Sequence, residues 1–149
     1  MSEVLSTFRL HPGDQAPGFS LPDAYGNIVT KASASGPKGL LVVFACNHCP
    51  FVLHLATALG DMAREIAAQG IHTVAINPND TERYPQDGPE EMKTFAVEKG
   101  WDFPYLIDES QDVAKAYGAA CTPDFFLLDD GGLLFYAGQF DDSRPRSGI

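Results

Sequence analysis

The chain has 149 residues, 44% hydrophobic and 20% charged, an ordinary mixture for one soluble globular domain and neither disordered nor repetitive. Its formal charge of −10 arises entirely after residue 60, where 17 acids face 7 bases, and an acidic surface of this kind excludes a nucleic-acid binder. No apolar run approaches the ~18 residues of a membrane span, and MSEVLSTFRLHPGDQ lacks the basic and apolar regions of a signal peptide, so a cytoplasmic protein without a membrane partner is expected.

The opening His11–Asn27 stretch is rich in turn residues, and FSL followed by NIVTKA reads as a short antiparallel pair. Lys38–Ala45, KGLLVVFA, is a continuous apolar run of strand length, as suits a central strand covered on both faces. A helix is predicted from about Pro50 to Gln69, with Phe51, Leu55, Leu59, Met62 and Ile66 on one face and Gly70 closing it. Ile71–Asn77 is the next strand, and the loop Pro78–Gly88 leads to a short helix, PEEMKTFAVEKG, with acids in its first turn. Phe103–Asp108 reads as a strand, Gln111–Gly118 as a short helix, and Asp124–Phe140 as two strands about an Asp-Gly turn.

Strand–helix alternation followed by a hairpin predicts parallel βαβ units ending in antiparallel strands. The expected architecture is one domain over residues 1–149, an α/β fold with a mixed sheet between two helical layers (α/β/α). It comprises an N-terminal β extension to residue 37, a core over 38–140 and a tail over 141–149. No helix is expected in the residues after Phe140 to cover the last hairpin, so either the chain is truncated or a partner covers that face, as in a homodimer or strand exchange.

Three cysteines, Cys46, Cys49 and Cys121, are too few and too odd for a secreted disulfide framework. Cys46 and Cys49 stand at C-x-x-C spacing between a buried strand and an amphipathic helix. That strand edge is where open α/β sheets place their ligand sites. A sulfur there meets the unpaired N–H groups and positive dipole end of the first helical turn, which favour thiolate over thiol. Asn47 and His48 lie between the pair, and His48 adds a donor or a positive charge. No carboxylate lies within ten residues of either cysteine. Cys49, inside the first turn, is placed to attack a mixed disulfide on Cys46, and Pro50 fits a position whose N–H is not needed. Zinc would need four ligands from Cys46, Cys49, Cys121 and one histidine, without a second pair at finger spacing. Cys121 reads either as a third redox thiol or as a small buried hydrophobe. No metal and no organic cofactor are expected.

CNHCP after a buried strand, with CTPDFFLLD some 75 residues later, resembles the thioredoxin superfamily. GDQAPGFSLPDAYG is similar to its redoxin branch, shared by alkyl-hydroperoxide-reductase/thiol-specific-antioxidant proteins and membrane-anchored reductases. INPNDTERYPQDGPEEM and AGQFDDSRP resemble a peroxiredoxin-like bacterial group of that branch. The resemblance implies a thioredoxin-like fold with Cys46 as attacking and Cys49 as resolving thiol. It also implies a substrate groove bordered by Asn47, His48, Pro50 and a cis-proline loop at Thr122 and Pro123. Two departures bear on chemistry. Peroxiredoxin sites read P-x-x-x-[ST]-x-x-C, whereas Gly39 and Val43 stand before Cys46, and Val42 and Cys46 before Cys49. Thioredoxins bury an acid six residues before the first cysteine, where this chain has Leu40.

The activity expected is thiol–disulfide exchange through Cys46 and Cys49, with a disulfide-bearing protein or small thiol as substrate and an external thiol as electron donor. The alternatives are a thiol peroxidase and a redox-sensing or binding module without turnover. With Cys49 and Cys121 replaced by serine, Cys46 is expected to titrate below the free-thiol value of ~8.5 by thiolate ultraviolet absorbance. A sulfur still mostly protonated at pH ~8 on that scale would contradict its activation.

Overall fold

The computed structural model describes residues 13–45, 50–78, 88–118 and 124–138, with the backbone alone at 50–54. In chain order the elements are β1 (Ser20–Pro22), β2 (Ile28–Thr30), α1 (Lys31–Ala34), β3 (Gly39–Phe44) and α2 (Pro50–Ala67). They continue with β4 (Ile71–Asn77), α3 (Pro89–Lys99), β5 (Tyr105–Ile107), α4 (Asp112–Tyr117), β6 (Asp124–Leu128) and β7 (Leu134–Gly138). β1 and β2 form a small antiparallel sheet, and the main sheet runs β5-β4-β3-β6-β7. β3, β4 and β5 are parallel, while β6 and β7 are antiparallel additions, which is the mixed sheet the alternation predicts.

β3 lies at the centre and every residue of it is buried. Its side chains alternate between two cores, as period-two geometry requires. Leu40, Val42 and Phe44 enter one core with Phe19, Leu106 and Tyr117. Leu41 and Val43 enter the other with Ala56 and Leu59 of α2 and with Phe95 and Trp101. A strand that must be apolar on both faces explains why KGLLVVFA shows no alternation.

The predicted elements appear with trimmed ends, and one stretch differs in kind. NIVTKA is strand only to Thr30, after which Lys31–Ala34 forms the helical turn α1. The cause is local. Ser33 N–H donates to Thr30 Oγ1 at 3.0 Å and Thr30 N–H donates to Ser33 Oγ at 2.9 Å, a reciprocal cap built from T-x-x-S rather than T-x-x-E. β5 is shorter than Phe103–Asp108 because its parallel ladder starts where Ala75 N–H donates to Pro104 O at 2.9 Å. One step earlier, residue 104 would have to donate to Thr73 O, and proline has no N–H. α3 keeps the predicted ends, with Pro89 opening it and Gly100 closing it in the left-handed region.

The segment before β1 is stitched to the hairpin of β6 and β7. Gly13 N–H donates to Leu134 O and Leu134 N–H to Asp14 O, at 2.7 and 2.8 Å. The turn of that hairpin is held by Asp129, whose Oδ1 accepts from Gly131 and Leu133 N–H. β7 is an edge strand with Phe135 and Tyr136 exposed. The expectation that no helix follows concerns residues 139–149, outside the described ones. Among the described residues no helix is long and apolar enough to cross a membrane.

α2 and the end of α3 approach closely at Gly60. A Cβ there would lie 2.8 Å from both Lys99 O and Gly100 O. The approach lets Trp101 Nε1 donate to Ala56 O at 2.9 Å and lets Trp101 pack edge-on against Phe95 and Tyr105. Alanine is the better helix former by about 1 kcal/mol, but the clash is with backbone and overpacking costs about 1–3 kcal/mol. Gly60→Ala is therefore expected to lower stability by about 1 kcal/mol in urea unfolding, the middle of the overpacking range less the helix gain. An unchanged or raised midpoint would show that the two helices part freely.

Candidate active-site edge

Four strand ends meet at one rim of the main sheet. β3 leaves the sheet at Phe44, which lies in register with Asp124, the first residue of β6. Ala45 N–H donates to Ile76 O at 2.9 Å, so the backbone stays bound to β4 one residue beyond β3. On the other side of β4, Asp108 N–H donates to Asn77 O at 2.9 Å. α2 opens at Pro50, five residues after Ala45. The described chain thus delivers both flanks of Cys46–Cys49 and the downstream flank of Thr122–Pro123 to the same rim. Of the predicted site residues, Cys46, Asn47, His48, Cys49, Cys121, Thr122 and Pro123 lie outside the described residues, and Pro50 enters only as the first backbone position of α2.

The platform below this rim is aromatic and rigid. The Phe44 ring lies 5.4 Å from that of Tyr117 and 5.7 Å from that of Phe126, and Tyr117 and Phe126 are 5.2 Å apart. Tilted and edge-on contacts at this range add about 0.5–1.5 kcal/mol per pair beyond area burial. Tyr117 is fully buried, and its hydroxyl donates to Pro17 O at 2.7 Å. Burial pushes its pKa well above the usual phenol value. Tyr117 is therefore a structural donor, and its phenol stays protonated near neutral pH.

Two buried polar residues at this rim were not singled out by sequence pattern. Asn77 is 1% exposed and faces the Tyr105 hydroxyl at 3.5 Å. Asp108, also 1% exposed, accepts from Ala114 N–H at 2.9 Å and Val113 N–H at 3.4 Å, so its carboxylate secures the start of α4. Asn77 stands at the last position of β4 and Asp108 one residue past β5, where alternation cannot distinguish an inward polar group from a loop residue. Asp108 carries the only readable signal, an acid just before a helix start. Among the described residues no group of three His, Cys, Asp or Glu is gathered as a metal site would require.

A mixed sheet with a βαβ core, a terminal hairpin and this rim defines a thioredoxin-like protein, and solved structures bear this out. A thiol:disulfide interchange protein from Chlorobium tepidum superposes with a TM-score of 0.72 at 23% identity, over 86% of this chain and 84% of that one. An uncharacterized conserved protein of Geobacillus kaustophilus superposes with a TM-score of 0.89 at 48% identity, over 94% of this chain and 75% of that one. Residues 12–137 match the AhpC/TSA family, and the chain belongs to it. A Mycobacterium tuberculosis protein named as a peroxiredoxin is 34% identical over 78% of this chain and 69% of its own length. The thiol-disulfide oxidoreductase ResA of Halalkalibacterium halodurans is 28% identical over 80% of this chain and 64% of its own. The chain is a redoxin, a thiol-based redox enzyme of the thioredoxin superfamily.

Tyr117 provides a pH test of the platform. Its folded-state pKa is raised, so its contribution to stability is complete below about pH 10 and falls as pH rises above that value, where the unfolded chain releases the proton. Tyr117→Phe is expected to cost about 0.5–1.5 kcal/mol at neutral pH and to flatten the alkaline loss. Identical alkaline slopes in the two proteins would contradict a buried, neutral phenol.

Proposed function

We propose that this chain reduces peroxides through Cys46, with Cys49 as the resolving thiol and an external thiol as the final electron donor. The observation that carries this reading is the family match over residues 12–137, reinforced by a relative named as a peroxiredoxin at 34% identity against 28% for the disulfide oxidoreductase. This reverses the order set by the motif alone, which puts disulfide exchange first.

In the proposed reaction the Cys46 thiolate attacks the distal peroxide oxygen. The O–O bond breaks, the alkoxide leaves and takes a proton, and Cys46 becomes a sulfenic acid. Cys49 then attacks that sulfur, water leaves, and a Cys46–Cys49 disulfide remains. Two electrons from an external dithiol restore the pair. Lowering the Cys46 pKa serves the first step, and the positive end of α2 is the source argued for it. With no Thr or Ser three residues before either cysteine, backbone N–H groups of the first turn of α2, or His48, would have to bind the peroxide.

A second reading, thiol–disulfide exchange, is favoured by one specific observation. The C-N-H-C pair has two thiols at exchange spacing, and Gly39 and Val43 replace the residues that peroxiredoxin sites use. Here Cys46 attacks a substrate disulfide, Cys49 displaces the reduced substrate, and Thr122 and Pro123 would border its extended strand. Both readings end in the same Cys46–Cys49 bond. Three cysteines with one C-x-x-C pair suit a reducing compartment, and we place the reaction in the cytoplasm.

Peroxide consumption and insulin reduction, each with dithiothreitol as donor, separate the readings. The first predicts rapid hydrogen peroxide turnover and a dimedone-trapped sulfenic acid on Cys46 in Cys49→Ser. It also predicts that Cys46→Ser falls to the rate of free thiol. Peroxide turnover no faster than free cysteine, with insulin reduced, would leave the second reading standing. Cys46→Ser as active as the unaltered protein in both assays would remove both.

A further inference from the structure

The tip of the β1–β2 hairpin faces α3 across a cleft of about 270 Å³. Trp101 and Tyr105 are its buried lining, while Tyr25, Val97, Phe103 and Asp102 form the part open to solvent. Small-molecule pockets run to about 300–1,000 Å³, so this cleft is the size for one side chain of a larger partner. Tyr105 is three residues before Asp108 at the active-site rim, about 10 Å along the strand at ~3.3 Å per residue. The cleft therefore flanks that rim.

Two features set it apart from the rest of the surface. Tyr25 and Val97 are 68% and 77% exposed at the same place, whereas apolar side chains on a soluble surface are ordinarily scattered singly. The second feature is charge. Lys93 lines the cleft, but it is engaged: its Nζ lies 3.1 Å from Glu90 Oε2 and 4.7 Å from the centre of the Tyr25 ring. That contact takes one face of the ring and leaves most of its surface open. Asp102, its side chain 72% exposed, shares Arg64 with Asp61. On the opposite wall, Asp23 Oδ1 accepts from Tyr25 N–H and Asn27 N–H at 2.8 and 2.9 Å, which fixes the carboxylate and leaves Oδ2 out of the turn. The four carboxylates Asp23, Asp61, Glu90 and Asp102 outnumber the two cations Arg64 and Lys93.

We propose that this cleft is a docking surface for a protein partner and takes an arginine side chain from a basic segment of it. A guanidinium is planar, so it can lie against Tyr25 and Phe103 while its fork of donors meets Asp102. An ammonium is held more strongly by water and lacks the flat face. A neutral side chain of the same shape covers the carboxylates without supplying a counter-charge. Nucleic acid and anionic lipid are repelled by the same excess of acid. The surface is independent of which reaction the cysteines perform.

The probe is the capped tripeptide acetyl-Gly-Arg-Gly-amide, titrated into the full chain at low ionic strength and followed by amide NMR. Its lysine and citrulline counterparts are run in parallel. Saturable shifts gathered at Tyr25, Ala96 and Asp102 are expected, with the arginine peptide tighter than either counterpart. Tyr25→Ala and Asp102→Asn alter exposed side chains, and each is expected to weaken the arginine peptide about two- to fivefold. Shifts that spread over the acidic surface without saturating would overturn the proposal, as would lysine or citrulline binding equally well. So would an unchanged affinity in either variant.

Discussion

The constraint on which the rest depends is the complete burial of β3 between two strands and two cores. Gly39–Phe44 pairs with β4 on one edge and β6 on the other, and neither face meets water. Such a strand must be apolar at every position, and its polar chemistry can begin only where it leaves the sheet. That is why the C-x-x-C follows at once. The same constraint fixes Asp124 beside Phe44, so the start of β6 is set against the end of β3 by backbone pairing alone.

Below the rim, the sheet is supported differently on its two faces. One core is closed by the rings of Phe44, Tyr117 and Phe126 and by a hydroxyl bonded to the N-terminal segment. The other is closed by α2 and by Trp101, whose indole is bonded to the backbone of α2. The redox chemistry we propose for Cys46 and Cys49 would thus begin from closely packed cores on both faces of the sheet.

Most of this was legible in the sequence. The strand at Ile71–Asn77 has the bounds that its apolar run gives, and α3 is framed by Pro89 and Gly100 as its composition indicates. Legibility failed where a side chain's partner decided the outcome. Lys31–Ala34 was hidden in a β-branched run because its cap uses a serine in place of an acid. β5 lost its first two residues to a single missing N–H at Pro104, an effect that depends on which strand lies alongside. Asn77 and Asp108 are polar groups turned inward at strand ends, and periodicity is silent there. The site motif was readable from the spacing of Cys46 and Cys49, whereas the choice between peroxide and disulfide is not written in that spacing. Our proposed preference between the two draws instead on the relatives that align with the chain.

The bond from Tyr117 to Pro17 spans 100 positions of the chain, and the ties between Gly13, Asp14 and Leu134 span more. Contacts of such separation carry the largest loop-closure entropy and reward the chain last. The N-terminal strip therefore acts as a late-closing clasp. The sheet and its helices must already be assembled before it has anything to fasten on, and a chain emerging from the ribosome would carry it loose until the final hairpin is made.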